Sequence, residues 1–270
     1  MKHIWSFGIL LKRLAIFIIS VSLVFFIYST LLPEVWRRDN VLISLIILWL
    51  MTAYFVMPRI HRLLSKIYVP DNFIGRTRTV DGLLCDPVNM AINGSKKGLI
   101  KAMEGAGWTL AEQLSVSTVW RMMKSVALRR SYPSAPVSDA ILFGKKQDFT
   151  FQMEVENNPR KRHHVRFWKT PRGWYLPGGY KVDWLGAATY DESVGLSLFT
   201  MQFTHSIDSN VDKERDFIIS TLKTSGQLTK AERIEHFFSA YKTRNGFGHH
   251  YITDGSMVIA ELINHKPNRK

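Results

Sequence analysis

Two uncharged apolar runs, residues 14–32 and 41–57, constrain this chain more than any other feature of its sequence. At ~1.5 Å of rise per residue the first spans roughly 28 Å, close to the ~30 Å of a hydrocarbon core. The second reaches a similar depth if Tyr54 and a snorkelling Arg59 extend it toward the headgroups. The break between them, residues 33–40, is short and polar. This pattern predicts a transmembrane hairpin followed by about 200 residues of non-membrane domain, long enough to bury a core. A cleaved signal peptide is the competing reading. It would show a shorter apolar stretch ending in small residues, whereas bulky residues fill positions 23–28.

Charge orients the hairpin. Lys2, Lys12 and Arg13 precede the first run without an acid, and Arg59, Arg62 and Lys66 follow the second. In the connecting loop Glu34 and Asp39 cancel Arg37 and Arg38. The Lys/Arg bias therefore predicts a two-pass protein of the inner membrane with both termini in the cytoplasm. Of the formal net charge of +14, residues 1–69 carry +6, leaving +8 on the rest. A basic domain held beside a membrane points to anionic headgroups as partners, with a membrane protein as a second candidate. The tether argues against nucleic acid. The single cysteine, Cys85, excludes a disulfide framework and a Cys-rich metal site.

Residues 70–81 read as a linker and 265–270 as a basic tail. Between them, residues 82–264 carry helical patterns first. One helix is capped by Ser95 and ends near Gly107; the next covers about 117–129, its Val119, Trp120, Met123 and Val126 reading as a core stripe. The period then changes to two. Residues 149–155 alternate as a half-buried strand, and 163–169 return as its hairpin partner. Further strands are predicted at about 184–190, 195–205 and 257–263, with a third helix at 208–223 closed by Gly226; residues 233–241 are ambiguous between helix and strand. Helices, then consecutive strands, then a helix define an α+β domain with a largely antiparallel sheet and about three helices.

No phosphate-binding loop, nucleophile elbow or zincin spacing is present. Two constellations remain. In Arg162-His163-His164-Val165-Arg166-Phe167-Trp168, a strand places His164, Arg166 and Trp168 on one face and the apolar set on the other. Imidazole, guanidinium and ring side by side suit a phosphate, with His164 as acid or base and Arg166 as anion holder; the bland alternative is a solvated strand face. The second lies at residues 205–216, where His205, Asp208 and Asp212 could converge on a divalent metal. There the bland alternative is a helix start capped by Asp208 or Ser209. Arg162, Tyr132 and Arg215 complete the candidate ligand-binding set.

Ordered blocks of the sequence carry a resemblance. They are Asp86-Pro87-Val88-Asn89; Arg130-Ser131-Tyr132-Pro133 with Ala135-Pro136-Val137-Ser138; Leu142-Phe143-Gly144 with Gln147-Asp148; the Arg162 to Trp168 block; Gly186-Ala187-Ala188-Thr189-Tyr190-Asp191; and Thr204-His205-Ser206-Ile207-Asp208 with Glu214-Arg215-Asp216. With these the chain resembles the LssY-like C-terminal domain family of bacterial membrane proteins over roughly residues 82–263. The resemblance implies no defined activity. Some members carry the domain behind DedA-type membrane segments and a PAP2-type lipid phosphatase domain, which implies envelope or lipid-phosphate metabolism by association. The chain lacks the PAP2 phosphatase motifs, and Gly246-Phe247-Gly248-His249-His250-Tyr251 replaces a more acidic run. Two readings stand: an accessory or binding module for phosphorylated lipids or a membrane partner, and a phosphoesterase-like hydrolase with catalytic His164, Arg166 and His205 and a divalent metal on His205, Asp208 and Asp212.

Overall fold

A computed structural model describes residues 41–68, 75–128, 130–156, 158–196, 203–239, 241–245, 248–263 and eight positions between 18 and 33. The chain divides into two units, residues 1–60 with 200–202, and the remainder. Most of the first apolar run lies outside the described residues; its described positions from Ile18 to Thr30 are helical.

Helix α1 (Val41–Met51), in the first unit, continues through a π-helical turn (Thr52–Val56) into α2 (Met57–Tyr68), whose residues from His61 on belong to the second. Residues Val41–Arg62 form the one described helix long and apolar enough to cross a membrane. Its 22 residues extend ~33 Å. Leu42, Ile43, Ile46 and Leu50 are exposed, an outward apolar surface that water does not favour. The helix widens where the Thr52 hydroxyl donates to the Leu48 carbonyl (2.8 Å). Tyr28 of the first run meets that hydroxyl at 2.6 Å.

The second unit is α+β, as its sequence pattern predicts. A large sheet runs β11 (Leu228–Ile234), β14 (Met257–Leu262), β3 (Met90–Asn93), β9 (Trp184–Leu196), β8 (Asn158–Lys169), β7 (Phe149–Val155), β4 (Thr109–Leu110), and β10 (Phe203–Ile207) also pairs with β9. Every pairing is antiparallel except β14 with β3. A four-stranded sheet holds β2 (Leu84–Pro87), β1 (Arg76–Thr79), β5 (Ala140–Leu142) and β6 (Lys145–Lys146) in that order, and β12 (Lys242–Arg244) pairs with β13 (His250–Ile252). The helices are α3 (Lys96–Gly105), α4 (Val116–Leu128) and α5 (Val211–Thr224).

Local chemistry sets these elements. Ser95 caps α3, its hydroxyl accepting from the Gly98 amide at 3.0 Å, and the helix buries Leu99, Ala102 and Met103. Asn210, rather than Asp208 or Ser209, caps α5. Gly226, at φ +67°, follows the end of α5. One core joins Leu99, Met103, Ile218 and Leu222 to Phe149, Phe151, Val165 and Phe167. A second contains Val88, Leu142, Trp168, Leu185 and Met257.

Three expectations change. The stretch expected as a linker, residues 70–81, carries β1, which pairs with β2 despite its polar, Gly-punctuated surroundings. The strand expected at 195–205 is the end of β9 and the start of β10. The stripe on α4 is only half core: Val119 and Val126 are half-buried, Trp120 and Met123 are exposed, and Thr118 and Ser125 are the buried residues.

Candidate functional site

The period-2 geometry of β8 places Arg162, His164 and Arg166 on one face, as its sequence predicts, but that face is not solvated. All three are buried, and so is Trp168. Register supplies their neighbours. His164 lies between Gln152 on β7 and Thr189 on β9, Arg162 lies opposite Asp191, and Arg166 lies opposite Ala187. The small Ala187 leaves room for a guanidinium. Asp86, the third residue of strand β2, reaches over to accept from Arg166 Nη1 at 2.5 Å. Arg166 also donates to the Ser138 carbonyl and hydroxyl, both at 3.3 Å.

His164 sits at the centre. Its Nε2 is 2.6 Å from the Thr189 hydroxyl and 3.1 Å from Arg166 Nη1, while Nδ1 faces Asp191 Oδ1 at 3.5 Å. A guanidinium only donates, so Nε2 accepts and the ring proton sits on Nδ1, toward the carboxylate. Arg162 donates to Gln152 Oε1 (3.2 Å), and Gln152 Nε2 donates to the carbonyls of Pro133 and Ala135. The proline-rich segment 131–138 is thereby tied over the cluster, with Glu154 accepting from the Tyr132 amide at 3.0 Å. Burial pulls the Arg162 pKa down, against the opposing pull of Asp191 and Glu154. Next to Asp86, the Cys85 thiol is pushed up to about 12 by burial and the neighbouring carboxylate, which removes it as a thiolate nucleophile at neutral pH.

His163 points to the other face. It stacks on Phe217 (4.2 Å between ring centres) and its Nδ1 lies 2.7 Å from Glu214. Burial raises the Glu214 pKa, partly offset by His163.

The second constellation resolves into α5 and its anchoring. Asp208 accepts from the Asn210 amide (2.8 Å). Asp212 accepts from Arg215 Nη1 and the Thr253 hydroxyl, each at 3.0 Å. Arg215 is wholly buried, donating to Asp212, Asp216, Asp254 and the Ser256 carbonyl, and so clamps α5 to the turn before β14. The His205 side chain lies outside the described residues; its backbone pairs with Val194 on the edge of β9 opposite β8. His164 pairs with Thr189, so the two histidines are two strand spacings apart, ~10 Å, and further separated along the strand. His164 and His205 therefore do not share one site, and the two blocks meet instead through His163 and Glu214. Among the described residues no group of three or more His, Cys, Asp or Glu is placed to hold a metal.

Of the remaining candidates, Tyr132 is half-buried beneath the Arg121 guanidinium (5.2 Å), and Trp168 is core, with its indole nitrogen unpartnered. Sequence reasoning gave Asp86, Ser138, Gln152 and Thr189 no role in the site. The signal lay in the Asp86-Pro87-Val88-Asn89 and Gly186 to Asp191 blocks, whose polar residues stand out in otherwise apolar strands.

These observations define an α+β domain whose mixed sheet carries a buried Arg/His/Asp cluster, in a chain that also holds an apolar helix of membrane-spanning length. The chain belongs to the family described as LssY C-terminus, which it matches over residues 66–257. No curated protein and no solved structure matches it.

Proposed function

We propose that this protein is a membrane-anchored, cytoplasmic-face binding module for phosphate-bearing lipids, held by a two-helix hairpin of residues 14–32 and 41–57. The observation that carries the reading is the pairing, in one chain, of the apolar helix Val41–Arg62 with a domain of +8 formal charge. The Tyr28–Thr52 hydrogen bond between the two apolar runs supports the hairpin. The closed cluster supports binding over catalysis: Arg166 is already paired with Asp86, so exposed Lys and Arg side chains meet the lipid instead. The test titrates the full chain in neutral detergent with phosphatidylglycerol or phosphatidylcholine and follows its unfolding temperature. The anionic lipid is expected to raise that temperature, less so at high salt. An equal response to both lipids overturns the reading.

One observation favours a hydrolase as the second reading. Thr189 hydroxyl, His164 Nε2 and Nδ1, and Asp191 form a hydroxyl–base–carboxylate series, the arrangement that activates a nucleophile. Phosphate release from phosphatidic acid that is lost in both Thr189→Val and His164→Gln, with unfolding temperature preserved, would make this reading primary. Absence of turnover in the wild type removes it.

A further inference from the structure

We propose that α4 is an in-plane docking helix that lays its outward stripe on an anionic bilayer surface; this rests on the membrane-anchored reading and names the face involved. The helix is apolar on both sides: Val119, Met122 and Val126 are half-buried against the domain, and a second set faces outward. Thr118 and Ser125 are turned inward, where their hydroxyls are satisfied locally by the Gln113 and Met122 carbonyls. Outward, Val116, Trp120, Met123 and Ala127 recur at helical spacing as one exposed stripe, with Val116 90% exposed and Trp120 68%. Leu114 extends it at the N-terminal end. Scattered exposed apolar side chains are ordinary, but a contiguous stripe marks a contact surface.

Charge selects the occupant. From Val116 to Arg130 the chain has Arg121, Lys124, Arg129 and Arg130 and no acid. Arg121 is engaged by Glu112, while Lys124 and Arg130 are exposed. An apolar stripe with tryptophan and a flanking basic set is the signature of a helix lying at a lipid interface. A second copy fits poorly. A symmetric pair of these helices would set like charges against each other, over a stripe only ~20 Å long, short of what a stable dimer buries.

The experiment uses the full chain reconstituted into phosphatidylcholine vesicles with or without phosphatidylglycerol. An environment-sensitive fluorophore is placed on Met123→Cys, or on Glu232→Cys, a β11 control; the buried Cys85 thiol does not compete for label. In vesicles with phosphatidylglycerol the Met123 probe is expected to lose most of its emission to nitroxide-bearing lipid and to be shielded from aqueous iodide. The Glu232 probe is expected to respond only to iodide. A Met123 probe quenched by iodide alone overturns the proposal, as does one reached by neither quencher, which would mean protein covers the face. Equal lipid quenching without phosphatidylglycerol overturns the role assigned to anionic lipid. Carbonate extraction separates the two readings: a chain that stays with the vesicles while its probe stays wet sinks the docking helix alone, and a chain that is released sinks both.

Discussion

Arg166 and Asp86 are 80 residues apart in sequence and 2.5 Å apart in the fold, both buried. Removing one partner strands a charge in a low-dielectric interior. Asp86→Ala is therefore expected to cost ~3–5 kcal/mol in denaturant unfolding of the full chain in detergent. Adding Arg166→Met is expected to recover part of that loss, because the pair's desolvation cost disappears with it. Arg215 gives a pH test. The hydrogen bond from Arg215 holds the Asp254 carboxyl below its usual 3.8, against a partial opposing effect of burial. A depressed carboxylate contributes stability above its unfolded value that is lost as pH falls through the folded value. Asp254→Asn should thus be less stable than wild type at neutral pH, and the difference should shrink below about pH 3.8, read from unfolding midpoints across pH. The period-2 rule placed His164, Arg166 and Trp168 on one face correctly. It missed their burial because the cover, Asp86 and residues 131–138, comes from distant sequence.

At the scale of elements, β9 is the strand on which the site depends, because it pairs with β3, β8 and β10. Gly186 makes its packing possible: a Cβ there would meet Met90 Cγ at 2.5 Å and Phe167 Cε1 at 3.0 Å. Gly186→Ala is expected to destabilise the domain by ~1–3 kcal/mol, because the wholly buried Met90 must shift near the root of its side chain, and thermal unfolding measures it. Helices α3 and α4 and the β7–β8 hairpin were legible because each is fixed by local periodicity and caps. β1, β2 and β3 were not. Each has four residues between breakers, and β3 gains its place from a parallel pairing with β14, more than 150 residues away. For α4 periodicity gave the helix but not the orientation, since an apolar stripe reads the same whether it faces the core or outward.

For the whole molecule, one chain joins an apolar helix to a basic domain of the LssY C-terminus family, whose Arg/His/Asp cluster is closed and internally paired. The apolar runs and charge were read directly from composition and order. The closure of the cluster and the separation of His164 from His205 required the sheet register. Excess positive charge beside a bilayer draws anionic headgroups at ~1 kcal/mol per surface-adjacent Lys or Arg, enough in sum to sort lipids around the protein. The most direct measurement excises the full chain from its membrane in polymer-bounded discs and compares the phospholipids in those discs with the bulk membrane by mass spectrometry. Enrichment of anionic, phosphate-exposing lipids, reduced when Lys124 and Arg130 are both changed to Gln, is the expected result. Discs with the bulk lipid composition would contradict the proposed lipid binding.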